Sequence, residues 1–305
     1  MTGVAAFRKS LNEASSNPKL VLTLYFSGLV LAFPVVFMAR SITGTVFGSS
    51  MAVGALLPGF DYTVVHDVFT HHGEALRTII HLCYPVVLLG MFVNLFLAGG
   101  TLSLLAHNQS FALGTFIGSC GAYFGRFLKL WLVLVAIGIV TFVVLSIPFG
   151  IVTSALSEYG ESEQVMILGT AVAAAFIFSP MVLVLLVADY AKVFLVVYEA
   201  QSVWTALARG FSFLFSNFRT VLMLHILLLS VLALAIGAYL TLESMIGMTS
   251  SITILAVFLL QQMFMLVRLW SRVAFFAGEV ILYSGRRPRP VIFYGWDDSP
   301  RADIV

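Results

Sequence analysis

Asp67, His71 and Glu74 stand at i, i+4 and i+7, so a helix through them would bring two carboxylates and an imidazole to one face. Such a set suits Zn²⁺ or another divalent ion. The stretch has no His-Glu-x-x-His pair to sharpen that assignment. A solvated helix explains the same residues, so no metal and no other cofactor is expected. His81 and His225 lie inside apolar stretches, at depths that differ by about 15–20 Å at ~1.5 Å per residue, and cannot grip one ion together. Interhelical hydrogen bonding is the expected use of each. Asp189, Lys192 and Glu199 gather where one apolar stretch ends, and Arg268 and Arg272 gather where another does. Charges beside lipid need partners, so these five residues are candidates for an ion-pair network. It would clamp a bundle or frame a vestibule for a lipid headgroup or an anionic solute. Arg286, Arg287 and Arg289 are candidates for lipid headgroups, worth on the order of 1 kcal/mol each against anionic lipid. Gly-x-Ser-x-Gly, a paired intramembrane Asp set and a phosphatase-like basic set are all missing from the sequence, and an enzyme is not expected.

The elements that must position these groups follow from composition. Of 305 residues, 60% are hydrophobic and 10% charged, with a mean hydropathy of +1.04. A soluble domain carries roughly 25% charge, and this chain has too little to wet a globule. About 20 apolar residues cross a hydrocarbon core of ~30 Å. Six stretches qualify: Leu20–Ala39, Ile79–Ala98, Phe127–Phe149, Val165–Ala188, Arg219–Leu240 and Ser251–Val267. They do not alternate polar and apolar residues as barrel strands would. The expected fold is all-α, a polytopic bundle of six transmembrane helices in one membrane domain over residues 1–305. Residues 1–19 form an interfacial helix, 20–283 the bundle with an outer loop at 40–78, and 284–305 a tail. Cys83 and Cys120 read as small buried hydrophobes.

Basic residues orient a bundle. Fourteen of the 16 Lys and Arg fall on the side of the two termini, and only Arg40 and Arg77 fall on the other. Both termini are therefore expected in the cytoplasm. The cytoplasmic connections are patterned as helices lying in the headgroup plane. In 199–216, Val203, Trp204, Leu207, Phe211, Leu214 and Phe215 share one face. In 109–125, Leu113, Ile117, Cys120 and Phe124 do so, and near the N-terminus Val4, Phe7, Leu11 and Ala14. Gln109-Ser110 and Gly118 align with Gln201-Ser202 and Gly210. Ser16-Asn17-Pro18-Lys19 matches Ser216-Asn217-Phe218-Arg219 at the entrance to a span. These matches suggest an internal repeat in which an interfacial helix feeds each ascending span. A fourth amphipathic stretch, 268–283, follows the last span.

The run Asp189-Tyr190-Ala191-Lys192, with Glu199, Ala206-Leu207, Phe211 and Asn217, and with Gly99-Gly100-Thr101-Leu102 after the second span, resembles a group of uncharacterised bacterial six-helix membrane proteins. These are similar to the membrane domain attached to some glycerophosphoryl diester phosphodiesterases. The resemblance implies an all-helical protein of the bacterial inner membrane without an assigned activity. No phosphodiesterase domain is recognised in the sequence, so that chemistry is not carried over. The expected function is non-catalytic: a scaffold, an accessory subunit or an envelope-assembly factor. The alternative is a transporter-like or permease-like protein handling lipids or small solutes. Membrane lipids are the expected partners, with a membrane complex or a homo-oligomer left open, and nucleic acid is excluded.

Overall fold

A computed structural model of the chain describes residues 2–47, 62–63, 66, 70, 73–159, 162–247 and 250–286. Among them the protein is all-α, with eight helices in chain order. These are α1 (Gly3–Ser16), α2 (Pro18–Phe47), α3 (Gly73–Ala106), α4 (Leu113–Tyr159), α5 (Glu163–Val197), α6 (Val203–Ser216), α7 (Phe218–Met245) and α8 (Ser251–Gly285). Six of them, all but α1 and α6, are long and apolar enough to cross a membrane. The chain is a multi-pass membrane protein. Pro34, Pro85, Pro148 and Pro180 each lie inside a continuous helix, which neighbouring helices in a bilayer tolerate.

The helix ends follow from named residues. Thr2 and Ser202 cap α1 and α6, their hydroxyls accepting from Ala5 N and Thr205 N, each at 3.4 Å. Both helices stop at an asparagine. Asn17 Nδ2 donates to the Glu13 carbonyl at 2.9 Å, and Asn217 Nδ2 donates to the Phe213 carbonyl at 3.2 Å. The carbonyl of each asparagine then accepts from the next helix, Asn17 from Leu20 N and Val21 N, Asn217 from Thr220 N and Val221 N. One asparagine thus closes a short helix and opens a span, helped at the first corner by Pro18 at the opening helical position. The segment Gly125-Arg126-Phe127 has no such residue. There the expected interfacial helix and third span fuse into α4, a 47-residue rod about 70 Å long at ~1.5 Å per residue. The stretch 268–283 is likewise continuous with the sixth span in α8.

The tightly packed core lies at the end of the bundle that holds α1 and α6. It is built from Ala6 and Ala14 of α1, Leu20 and Leu24 of α2, Leu102 of α3, Phe127 and Leu130 of α4, Tyr190 and Val193 of α5, Phe213 and Leu214 of α6, Leu224 of α7, and Ala274 and Tyr283 of α8. Toward the opposite end the described helices turn large apolar side chains outward, among them Phe33, Phe37, Ile147, Phe176, Leu234 and Ile252. Acyl chains solvate such surfaces as well as other helices do, so close packing there brings little.

The short helices pack on the bundle largely through small residues, and on α6 most of the largest apolar residues turn outward. On α6 the buried positions are Val203, Ala206, Gly210, Phe213 and Leu214, whereas Trp204, Phe211 and Phe215 are exposed. A Cβ on Gly210 would stand 2.8 Å from the Val187 carbonyl oxygen and 2.9 Å from Ala191 N, so glycine permits the approach to α5. On α1 the buried set is Gly3, Ala6, Ser10 and Ala14. On the first turns of α4, Phe116, Cys120 and Tyr123 pack on α3, where a Cβ on Gly100 would meet Cys120 and Phe116. Leu113 and Ile117, placed on the apolar face by the sequence pattern, are exposed, and so is Gly118.

Candidate functional site

Three helices bring ionisable groups together inside the packed end. Asp189 lies near the end of α5, His225 in the second turn of α7 and Glu279 near the end of α8. One ligand atom from each, two carboxylate oxygens and a ring nitrogen, can be chosen so that all lie within 4.8 Å of one another. His225 and Glu279 are buried, at 9% and 3% relative exposure, and Asp189 is half-buried. Lys192, one turn along α5, donates from Nζ to Asp189 Oδ1 at 2.8 Å. His225 Nε2 stands 3.7 Å from Glu279 Oε1, beyond hydrogen-bond reach.

The ring orientation of His225 follows from its helix. Nδ1 lies 3.0 Å from the Val221 carbonyl oxygen, one turn back. A carbonyl can only accept, so Nδ1 carries the proton, and in the neutral ring Nε2 presents its lone pair to Glu279. Around this pair sits an aromatic wall of mutually tilted rings: Tyr190 lies 4.9 Å from Phe213, Phe213 4.6 Å from Tyr283, and Phe275 5.9 Å from His225. Among the described residues, the buried side-chain atoms without a protein hydrogen-bond partner are Tyr190 Oη, His225 Nε2, Glu279 Oε2 and Tyr283 Oη. All four belong to this one region. Buried polar atoms are nearly always satisfied, and a cluster of exceptions calls for an explanation.

A cleft of about 490 Å³ opens beside the cluster, between α3, α4 and α5. Its walls are apolar, including Leu95, Trp131, Leu134, Phe142 and Leu185, and Lys192 is the one charged residue that lines it. A second cleft of about 600 Å³ lies between the far halves of α4 and α5 and is lined by apolar residues and Gly169.

The other sequence candidates are placed as follows. Arg272 Nη1 donates to Asn94 Oδ1 on α3 at 2.7 Å, and its guanidinium lies over the Phe276 ring at 5.6 Å. Arg268 is exposed. Glu199 sits past the end of α5 with a positive φ of 49° and offers its backbone carbonyl to Arg126 Nη1 at 3.3 Å. The Asp189 carboxylate is thus held by Lys192, with ligand atoms of His225 and Glu279 within 4.8 Å. Arg286 Nη1 donates to Asn217 Oδ1 at 2.7 Å and braces the corner between α6 and α7; Arg287 and Arg289 lie outside the described residues. So do Asp67 and His71. Glu74 is in the first turn of α3, exposed and 3.6 Å from Arg77. His81 is exposed, with Nδ1 against the Arg77 carbonyl at 2.7 Å. Gln262 accepts from the Tyr25 hydroxyl at 2.6 Å, tying α2 to α8.

Sequence reasoning missed the pairing of His225 with Glu279. The available signal was Glu279 itself, a lone carboxylate in the run Phe275-Phe276-Ala277-Gly278-Glu279-Val280-Ile281. A charge in such surroundings demands a partner. Comparison of the chain with protein-family models, with curated proteins and with solved structures found no match.

Proposed function

We propose that this is a non-catalytic protein of the bacterial inner membrane, both termini cytoplasmic, that binds a phospholipid by the acyl chain in the cleft between α3, α4 and α5. The observation that carries this is the cleft itself, apolar along its walls and ending at Lys192. Its volume falls within the roughly 300–1,000 Å³ of small-molecule sites. About 20 residues from Val165 span the hydrocarbon core, so Lys192 stands at the depth of the inner headgroups. An ammonium there can meet a lipid phosphate with its remaining N–H donors while one of them is held by Asp189. Trp204, Phe211 and Phe215 on the outward face of α6 sit where amphipathic aromatics favour the membrane interface. The two asparagine corners, matched in caps, lengths and hydrogen bonds, support a chain built from repeated units, each an interfacial helix leading into a span. A scaffold or assembly role fits the same reading, with lipid as ligand rather than substrate.

The test is native mass spectrometry of the full chain released from detergent with phosphatidylglycerol or phosphatidylcholine. Gly138 is buried on α4, and a Cβ there would lie 3.5 Å from Met181 Cε, so Gly138→Leu extends into the cleft without a backbone clash. The wild type should retain phosphatidylglycerol preferentially. Gly138→Leu should retain little of either lipid, and Lys192→Met should lose the headgroup preference. Equal retention by all three proteins would refute the reading.

A further inference from the structure

We propose that Asp189, His225 and Glu279 form a binding site for a divalent transition-metal ion, of which Zn²⁺ is the representative. Two features of His225 point to a cation. Its Nδ1–H is committed to the Val221 carbonyl, the arrangement by which metal-ligating histidines fix their tautomer. Its Nε2 lone pair and the Glu279 carboxylate then face each other at 3.7 Å with no donor between them. Two lone pairs so placed repel unless a proton or a metal ion lies between. The third ligand atom, from Asp189 and within 4.8 Å of both, is what an ion would use and a shared proton would not. Nε2 and Glu279 Oε2 are also both buried atoms without a protein partner, and both residues are more than nine-tenths buried.

The chemistry of the set fits such an ion. One imidazole and two carboxylates suit zinc and its neighbours better than calcium, which takes six to eight oxygens. Ligands about 2.0–2.1 Å from a tetrahedral ion sit roughly 3.4 Å from one another. The 3.7 Å between His225 and Glu279 is near that spacing, and the 4.8 Å limit on the set leaves about an ångström of closure for Asp189. Lys192 holds Asp189 Oδ1, which leaves the other carboxylate oxygen for the ion. The three ligands come from α5, α7 and α8, so the ion would tie together spans that are apart in sequence. This site does not depend on a lipid in the cleft.

The experiment uses the full chain in detergent, stripped with a chelator, with His66, His71, His72, His81 and His107 replaced by Ala so that His225 is the one imidazole left. Zn²⁺ is titrated by calorimetry, and Co²⁺ is added separately for its visible d–d spectrum. One equivalent of Zn²⁺ should bind per chain and raise the unfolding temperature, and Co²⁺ should develop absorption displaced by Zn²⁺. Asp189→Asn, His225→Gln and Glu279→Gln should each bind at least about 10-fold more weakly, the lower end of what losing only a hydrogen-bond partner of a ligand costs, whereas Glu74→Gln should not differ. If those three variants do not fold, the Co²⁺ spectrum of the parent chain decides through the presence or absence of a nitrogen ligand, His225 being the buried imidazole available. A parent chain that binds no ion, or binding that survives His225→Gln, would overturn the proposal.

Discussion

At the scale of residues, one contact could be read from the chain and one could not. Asp189 and Lys192 are three apart on a helix, a spacing at which side chains meet, and the structure has them 2.8 Å apart. His225 and Glu279 meet only because α7 lies beside α8, and no local pattern carries that fact. Their interdependence gives a measurable cycle. His225→Leu leaves a carboxylate at 3% exposure facing an apolar side chain. Stranding a buried charge in this way costs about 3–5 kcal/mol. Adding Glu279→Met removes the stranded group, and replacing a whole buried pair by apolar residues is often close to neutral. The double variant should therefore be more stable in detergent unfolding than His225→Leu alone. A double variant less stable than either single one would mean that the two groups do not act as a pair.

At the scale of elements, the helices were legible and their packing faces were not. Caps and breakers are local: Asn17-Pro18 and Asn217 end short helices, and the lack of any such residue near Phe127 lets α4 run on. Packing faces depend on which side chains allow two backbones to approach. The largest apolar residues of α6, Trp204, Phe211 and Phe215, face outward, and Ala206 and Gly210 face α5. In lipid a large apolar side chain gains little from turning inward, while a small one permits close contact. Hydrophobicity alone therefore marked the outward-facing stripe on α6 and on the first turns of α4, about one residue away from the face that packs on other helices. On α1, by contrast, Phe7, Leu11 and Ala14 of the apolar stripe do pack on the core. Two glycine substitutions separate these cases. Gly210→Ala forces its methyl against the backbone of Val187 and Ala191 and should destabilise by about 1–3 kcal/mol, as overpacking does. Gly118→Ala meets nothing within 4 Å and should stabilise by up to ~1 kcal/mol through helix propensity. Thermal unfolding of the two variants checks the contrast; like signs would mean that α6 does not pack on α5 through Gly210.

At the scale of the whole molecule, the six spans and the all-α class were written in hydropathy and length, and each long helix contains its expected span, the third and sixth running well beyond it. The division into a packed end and an open end was not, because lipid and protein interiors select the same residue types for the span surfaces. The candidate site lies wholly in the packed end, so its biological meaning turns on which side of the membrane that end faces. If it faces the cytoplasm, Lys192 meets inner-leaflet headgroups and the Asp189, His225 and Glu279 cluster draws its ion from the cytoplasmic pool. Cysteine accessibility decides this directly. In a background with Cys83 and Cys120 replaced by Ala, single cysteines are placed at Ser162, the exposed cap of α5, and at Asn12, exposed on α1. Intact cells are then treated with a membrane-impermeant maleimide. Ser162→Cys should react from outside, and Asn12→Cys should react only after the membrane is opened. Labelling of Asn12→Cys in intact cells with Ser162→Cys protected would contradict the orientation, and with it the assignment of Lys192 to inner-leaflet lipid.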